Sequence, residues 1–267
     1  MRADALLAFE RRGHCTVRGA LPSEAVRAVV PEIDALFRER ERDALEQKVR
    51  VLLGDDELAR ARSEGAGGTR ALKRLLEGLP DGSVPFLQLF HLSRAIPALD
   101  ALLRSPALAG TAAALLGCDA RSDARVRLYQ DSLFVKRAGD GQTHWHADLA
   151  MCPLDTNAFV TCWIPLQPVP VEEDGGCGLV YAQGSHRDVA LPFWHGDPRE
   201  ADDLSGREYA EAGTGALALG DVAWHHGWAL HCAPPNMRRT PRRVSTIQRS
   251  QIVRARAMIS RARGSPG

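Results

Sequence analysis

The chain has 267 residues, 45% of them hydrophobic and 25% charged, the composition of a folded globular protein rather than a disordered one. Its 34 basic and 33 acidic residues leave a formal charge of +1, too balanced for a protein that grips nucleic acid through a basic face. Six scattered cysteines with no CxxC indicate reduced thiols, not a disulfide framework. No apolar stretch has the length of a membrane span, and Met1 to Arg12 lacks the unbroken apolar core of a secretion signal. The expected location is therefore the cytoplasm, and the expected partner a small molecule, with neither nucleic acid nor membrane. Lysine occurs only at 48, 73 and 136, so arginine dominates the basic set, which reads as a codon bias.

Residues 1–123 read as a mostly helical lead-in. Ala25, Val29, Ile33, Leu36 and Phe37 recur at helical spacing behind Pro22-Ser23, with Ser23 the expected N-cap. Residues 38–62 are charge-rich and predict an exposed helix, and 63–69 a flexible joint. Leu99, Leu102, Leu103, Leu108, Ala112, Leu115 and Leu116 predict further helix, interrupted at Ser105-Pro106 and stopped by Gly117.

The character changes near Ala124. Short β-like runs follow around Leu133–Val135, Phe159–Leu166, Leu179–Tyr181, Ala216–Leu219, Val222–Leu230 and Val244–Ile252, each bounded by Gly, Pro or Asp. The pattern predicts a single domain over 1–267, mainly β with α: a jelly-roll core over 124–253, N-terminal and flanking helices, and a basic tail over 254–267.

His146-Ala147-Asp148 is the first chemical signal. Residues i and i+2 of an extended segment share a side, so an imidazole and a carboxylate converge. A second imidazole from a distant strand completes a two-His-one-carboxylate face, which leaves three octahedral positions open and suits Fe(II). His231 is the expected third ligand, because it follows the apolar run Trp228-Ala229-Leu230 beyond the turn at Gly220-Asp221. With nine histidines in the chain, an isolated HxD is easily accidental. Arg242 strengthens it: eleven residues past His231, on the next strand, its guanidinium is placed to clamp the far carboxylate of a dicarboxylic co-substrate.

The ordered set resembles the phytanoyl-CoA dioxygenase family of Fe(II)- and 2-oxoglutarate-dependent oxygenases. The resemblance runs from Phe9-Glu10-Arg11-Arg12-Gly13 through Leu133-Phe134-Val135-Lys136, Trp145-His146-Ala147-Asp148, Thr161-Cys162-Trp163-Ile164-Pro165-Leu166 and Gly184-Ser185-His186. It ends on Gly220-Asp221-Val222, His231, Asn236 and Arg242-Arg243. It implies a double-stranded β-helix, iron on His146, Asp148 and His231, 2-oxoglutarate on Arg242 with Trp163 beside it, and O2 as oxidant. The implied reaction hydroxylates a small-molecule C–H and releases succinate and CO2. The chain departs from the family pattern at Ala233, where many members carry a small hydroxyl residue, leaving Gln130 or Tyr129 as the expected substitute donor. Lys136 is followed by Arg137-Ala138-Gly139 instead of Pro-Pro-Gly. Asp148 keeps the carboxylate that halogenating relatives lack, so the resemblance points to hydroxylation.

Other residues rank lower. His144 is a substrate-side or supporting group or an exposed loop residue, His186 structural, and one of His225 and His226 must face inward. Trp145, Trp194, Trp224 and Trp228 are pocket walls or ordinary core. Two rival readings stand beside the oxygenase: a silent β-helix binding protein with a vestigial metal site, and a cupin-like metal enzyme that uses no 2-oxoglutarate. Neither needs a buried cation at Arg242.

Overall fold

The computed structural model describes residues 3–63, 68–118, 126–154, 156–171, 174–176, 178–188 and 209–236, and the backbone of 242–247. Helices α1 (Ala3–Arg12), α2 (Ser23–Glu39), α3 (Glu41–Leu53), α4 (Asp55–Ser63), α5 (Thr69–Glu77), α6 (Pro97–Leu103) and α7 (Pro106–Leu115) all precede residue 116. The strands are β1 (His14–Val17), β2 (Leu87–Phe90), β3 (Ser132–Lys136), β4 (Thr143–His146), β5 (Val160–Trp163), β6 (Val180–Ala182), β7 (Glu211–Gly213), β8 (Val222–His226), β9 (His231–Ala233) and β10 (Arg242–Ile247). They form antiparallel sheets ordered β1-β8-β5, β10-β3-β2 and β4-β9-β6-β7.

The helices cover the outer face of the first two sheets, and strand parity explains why. Val160 and Cys162 of β5 and Val222 and Trp224 of β8 join one core with Val26, Val29 and Ile33 of α2, Leu45 and Val49 of α3, and Leu99 and Leu103 of α6. Successive side chains on a strand point to opposite faces. Thr161, Trp163, Ala223 and His225 are therefore turned inward, where Trp163 and Ala223 pack with Tyr181 and Leu179 around β6.

Four expectations change. β1 and β2 arise inside the helical lead-in and pair with β8 and β3, so the strands do not begin at 124. Four-residue strands are too short to show a period and are held by distant partners. The charge-rich stretch 38–62 is not one exposed helix: α3 and α4 part at Gly54, whose φ is 92°, and bury Ala44, Leu45, Lys48, Val49 and Leu58. Pro22, not Ser23, is the N-cap of α2, and no side chain bonds the helix start. The run Val222–Leu230 is strand only to His226, then turns at Gly227. The expected joint at 63–69, the boundary at 124 and the tail 254–267 fall wholly or partly outside the described residues.

Candidate metal centre and cavity

β4 and β9 lie side by side with His146 directly opposite His231. The chain leaves β4 after His146, and Asp148 opens a short 3-10 turn at the strand end. That turn is pinned beneath the β8–β9 connection, where Leu149 N–H donates to Gly227 O at 2.9 Å and Gly227 N–H donates to Phe159 O at 2.9 Å. Gly227 has no alternative here, because a Cβ would lie 2.5 Å from Phe159 and 3.0 Å from Leu149.

The two imidazoles and the carboxylate offer ligand atoms that all lie within 4.8 Å of one another. His146 Nδ1 donates to His144 O at 2.8 Å and His231 Nδ1 to Ala229 O at 3.0 Å. A carbonyl only accepts, so both Nδ1 atoms carry the proton and both Nε2 lone pairs are assigned to the cluster. These Nε2 atoms stand 3.6 Å and 3.7 Å from Asp148 Oδ1, too far for hydrogen bonds. Two lone pairs and a carboxylate oxygen aimed at one point are mutually repulsive without a cation among them. The donor set of two nitrogens and one oxygen on one face fits Fe(II).

The other carboxylate oxygen is bound to protein. Asp148 Oδ2 accepts from Thr161 Oγ1 at 2.5 Å and from His225 Nε2 at 3.0 Å. Burial works against ionisation of Asp148, but the hydrogen bond from His225 favours it, and the carboxyl is held well below the usual range. Burial, then the neighbouring His146 and His225, push His231 well below its ordinary value, which leaves it neutral and able to ligate.

A cavity of about 380 Å³ opens over the cluster. Its wall is aromatic, with Phe86, Phe90, Phe134, Phe159 and Trp163, and Gln130, Tyr129 and Met151 also line it. Trp163 and Gln130 are thus both in the cavity wall. Trp224 is instead in the outer core, Trp145 and Trp228 pack against the cluster of Ala147, Ala182 and Leu230, and Trp194 is outside the described residues. His144 is exposed and serves through its carbonyl, while Ala233 lines the cavity and brings no hydroxyl. Arg242 occupies the β10 position opposite Lys136, and its side chain is outside the described residues.

Three residues at the site were not assigned from sequence. Thr161 carried no signal beyond its place beside Trp163. His225 was visible only as one of an adjacent pair. Lys136, buried and lining the cavity, donates from Nζ to Pro234 O at 2.6 Å and Ala233 O at 3.3 Å. Its retention as lysine in an arginine-dominated chain was the available signal. A second lysine, Lys48, lies 4.2 Å above the ring of cavity residue Phe86, and burial lowers it to about 8.

A jelly roll holding a His-Asp-His cluster at the base of an aromatic cavity defines the class of non-haem iron oxygenases. The phytanoyl-CoA dioxygenase family profile matches residues 9–244, and the chain belongs to that family. It is an Fe/2-oxoglutarate-dependent oxygenase-type enzyme. Among solved structures it is similar to the non-haem α-ketoglutarate-dependent carbocyclase SnoK of nogalamycin biosynthesis, with a TM-score of 0.60 and 21% identity over 94% of this chain and 82% of that one. It is also similar to the epimerase SnoN in complex with Fe3+, α-ketoglutarate and nogalamycin RO (TM-score 0.60, 21% identity, 92% and 82% covered). A further relative is EctD from S. alaskensis with 2-oxoglutarate and 5-hydroxyectoine (TM-score 0.57, 17% identity, 94% and 75% covered). No curated protein matches the chain in sequence. Among the described residues no helix is long and apolar enough to cross a membrane.

Proposed function

We propose that the chain hydroxylates a C–H bond of a small, uncharged and largely apolar molecule, with iron on His146, Asp148 and His231 and 2-oxoglutarate anchored by Arg242. The observation that carries this reading is the three-atom ligand cluster at the base of an aromatic cavity, with the carboxylate in place. Iron, 2-oxoglutarate and O2 together supply the oxidation, in which 2-oxoglutarate leaves as succinate and CO2.

The chain's own residues do the rest. His146 and His231 present Nε2, and Asp148 presents Oδ1. The phenyl rings around them make an apolar wall, and a substrate filling the cavity would displace water and strengthen the charge interactions in the site. Trp163 and Gln130, which line the cavity, would flank the co-substrate. The Arg242 role is supported by strand pairing, since β10 places Arg242 directly opposite Lys136, which lines the cavity. Lys136 brings a cation to the wall where Ala233 offers no hydroxyl. The substrate class is supported by charge: among the described lining residues Asp148 is the one carboxylate, and its place is at the metal. A cationic substrate would find no counter-ion there.

The carbocyclase and the epimerase named above share this fold, so the reaction is decided by its product. Anaerobic Fe(II) with 2-oxoglutarate gives a weak visible charge-transfer band if the co-substrate chelates; a silent binding domain or a cupin-like enzyme gives none. A metabolite screen for substrate-stimulated succinate release then identifies the substrate. Hydroxylation adds one oxygen to it, whereas ring closure removes two hydrogens and epimerisation leaves the mass unchanged. Either of the last two outcomes would overturn the hydroxylase reading.

A further inference from the structure

His225 is the centre of a buried polar line across the β1-β8-β5 sheet. It is opposite His14 on β1 and Thr161 on β5, so the three share the inner face. Its Nε2 lies 3.0 Å from Asp148 Oδ2. Its Nδ1 lies 3.3 Å from the Tyr181 hydroxyl, and the Tyr181 ring stacks on His14 with centroids 4.2 Å apart. His225 and Tyr181 are each 1% exposed.

An ionised carboxylate only accepts, so His225 Nε2 carries the hydrogen and donates to Asp148 Oδ2. The Tyr181 hydroxyl keeps its proton, since burial raises it well above the ordinary phenol value. Thr161 donates to the same oxygen of Asp148. One oxygen of Asp148 is thus taken by protein donors, while the other is turned towards His146 and His231.

We infer that His225 is a positioning residue that makes Asp148 a one-oxygen ligand of the metal. This rests on the metal reading proposed above. A carboxylate binding through both oxygens would occupy a fourth position on six-coordinate iron. A chelating keto acid and O2 need three positions between them, so the hydrogen bond from His225 preserves the vacancy on which the chemistry depends. His225 is not a fourth ligand, because its Nε2 would have to abandon Asp148 to bind metal. Its role passes entirely through that carboxylate.

The test uses the full chain and Co(II) alone as the probe, read by its visible spectrum, with metal-free melting temperatures as the fold control. The amide nitrogen of Gln reaches where Nε2 stands, and that of Asn does not. His225→Gln should bind Co(II) within about threefold of the parent, and His225→Asn about tenfold to a hundredfold more weakly, the range for lost hydrogen bonds to ligands. His225→Phe should match His225→Asn. The Asn variant's Co(II) spectrum should also shift, as the carboxylate, held at Oδ2 by Thr161 alone, swings to bind through both oxygens. Equal affinities and spectra for Gln and Asn variants of unchanged melting temperature would overturn the inference. His146→Ala separates the two readings. If it still binds Co(II) like the parent, the triad is wrong; if it loses the metal while the His225 series stays level, only the positioning role is wrong.

Discussion

Gly227→Ala tests whether the metal centre depends on the β8–β9 turn. The added Cβ would lie 2.5 Å from Phe159 Cδ1, 2.9 Å from Cγ and 3.0 Å from Leu149 Cβ. Ordinary carbon contacts begin near 3.5 Å, so about 1 Å of movement is required. Phe159 is 1% exposed and cannot swing to solvent, and the turn is tied to Leu149 N–H and Phe159 O. Overpacking of this kind costs about 1–3 kcal/mol, which in a chain of this size lowers the melting temperature by about 2–12 °C. Leu149 follows Asp148 directly, so the displaced turn carries the carboxylate with it, and a misplacement of about 1 Å can reduce turnover by about a hundredfold. Thermal unfolding and Co(II) titration of the variant measure the two effects. Phe159→Leu in the same chain should recover part of the stability, because contacting sites are not additive. A Gly227→Ala protein with unchanged melting temperature and metal affinity would refute the close-packing explanation.

His146→Ala and Asp148→Ala should each keep the fold and lose metal binding. Saturating metal at about 100 times its dissociation constant stabilises the parent by about 2.7 kcal/mol, and that rise in melting temperature should vanish in both variants. Arg242→Ala should weaken 2-oxoglutarate binding about tenfold to a hundredfold with little change for metal, Arg242→Lys should recover part of the loss, and Arg243→Ala serves as the opposite-face control. Titration of 2-oxoglutarate into the metal-loaded variants decides it; loss in Arg243→Ala alone would move the anchor by one residue. Acid should destabilise the protein through His14 and His226, both lowered to about 4 by burial first and neighbouring imidazoles next. The unfolded chain takes up these protons near pH 6.5 and the folded one near 4, so the contribution is full above about 6.5 and lost as pH falls through that window. The slope is about 1.4 kcal/mol per pH unit per histidine. Urea midpoints across the window should fall, and His226→Gln should flatten the curve.

The sequence by itself brought out the three residues that the fold gathers into one cluster, and the class of fold. His146 and Asp148 are two apart, a local relation that any extended segment converts into a shared face. His231, Arg242 and the Gly and Asp turns stand in a fixed order that identified the family, because order and spacing survive in the chain whatever its final packing. Tertiary pairing decided the rest. Whether His225 or His226 faces the metal depends on the register of β8 between β1 and β5, and a slip of one residue would exchange them. β1 and β2 are strands only because β8 and β3 lie beside them. Leu45, Val49 and Leu58 looked solvated among their charged neighbours until α2, α5 and the sheet closed over them. The hydrogen bonds on Asp148 come from residues 13 and 77 positions away, and distance in sequence carries no sign of which oxygen they will occupy. That choice follows from sheet register and side-chain packing, and both exist only once the whole chain has folded.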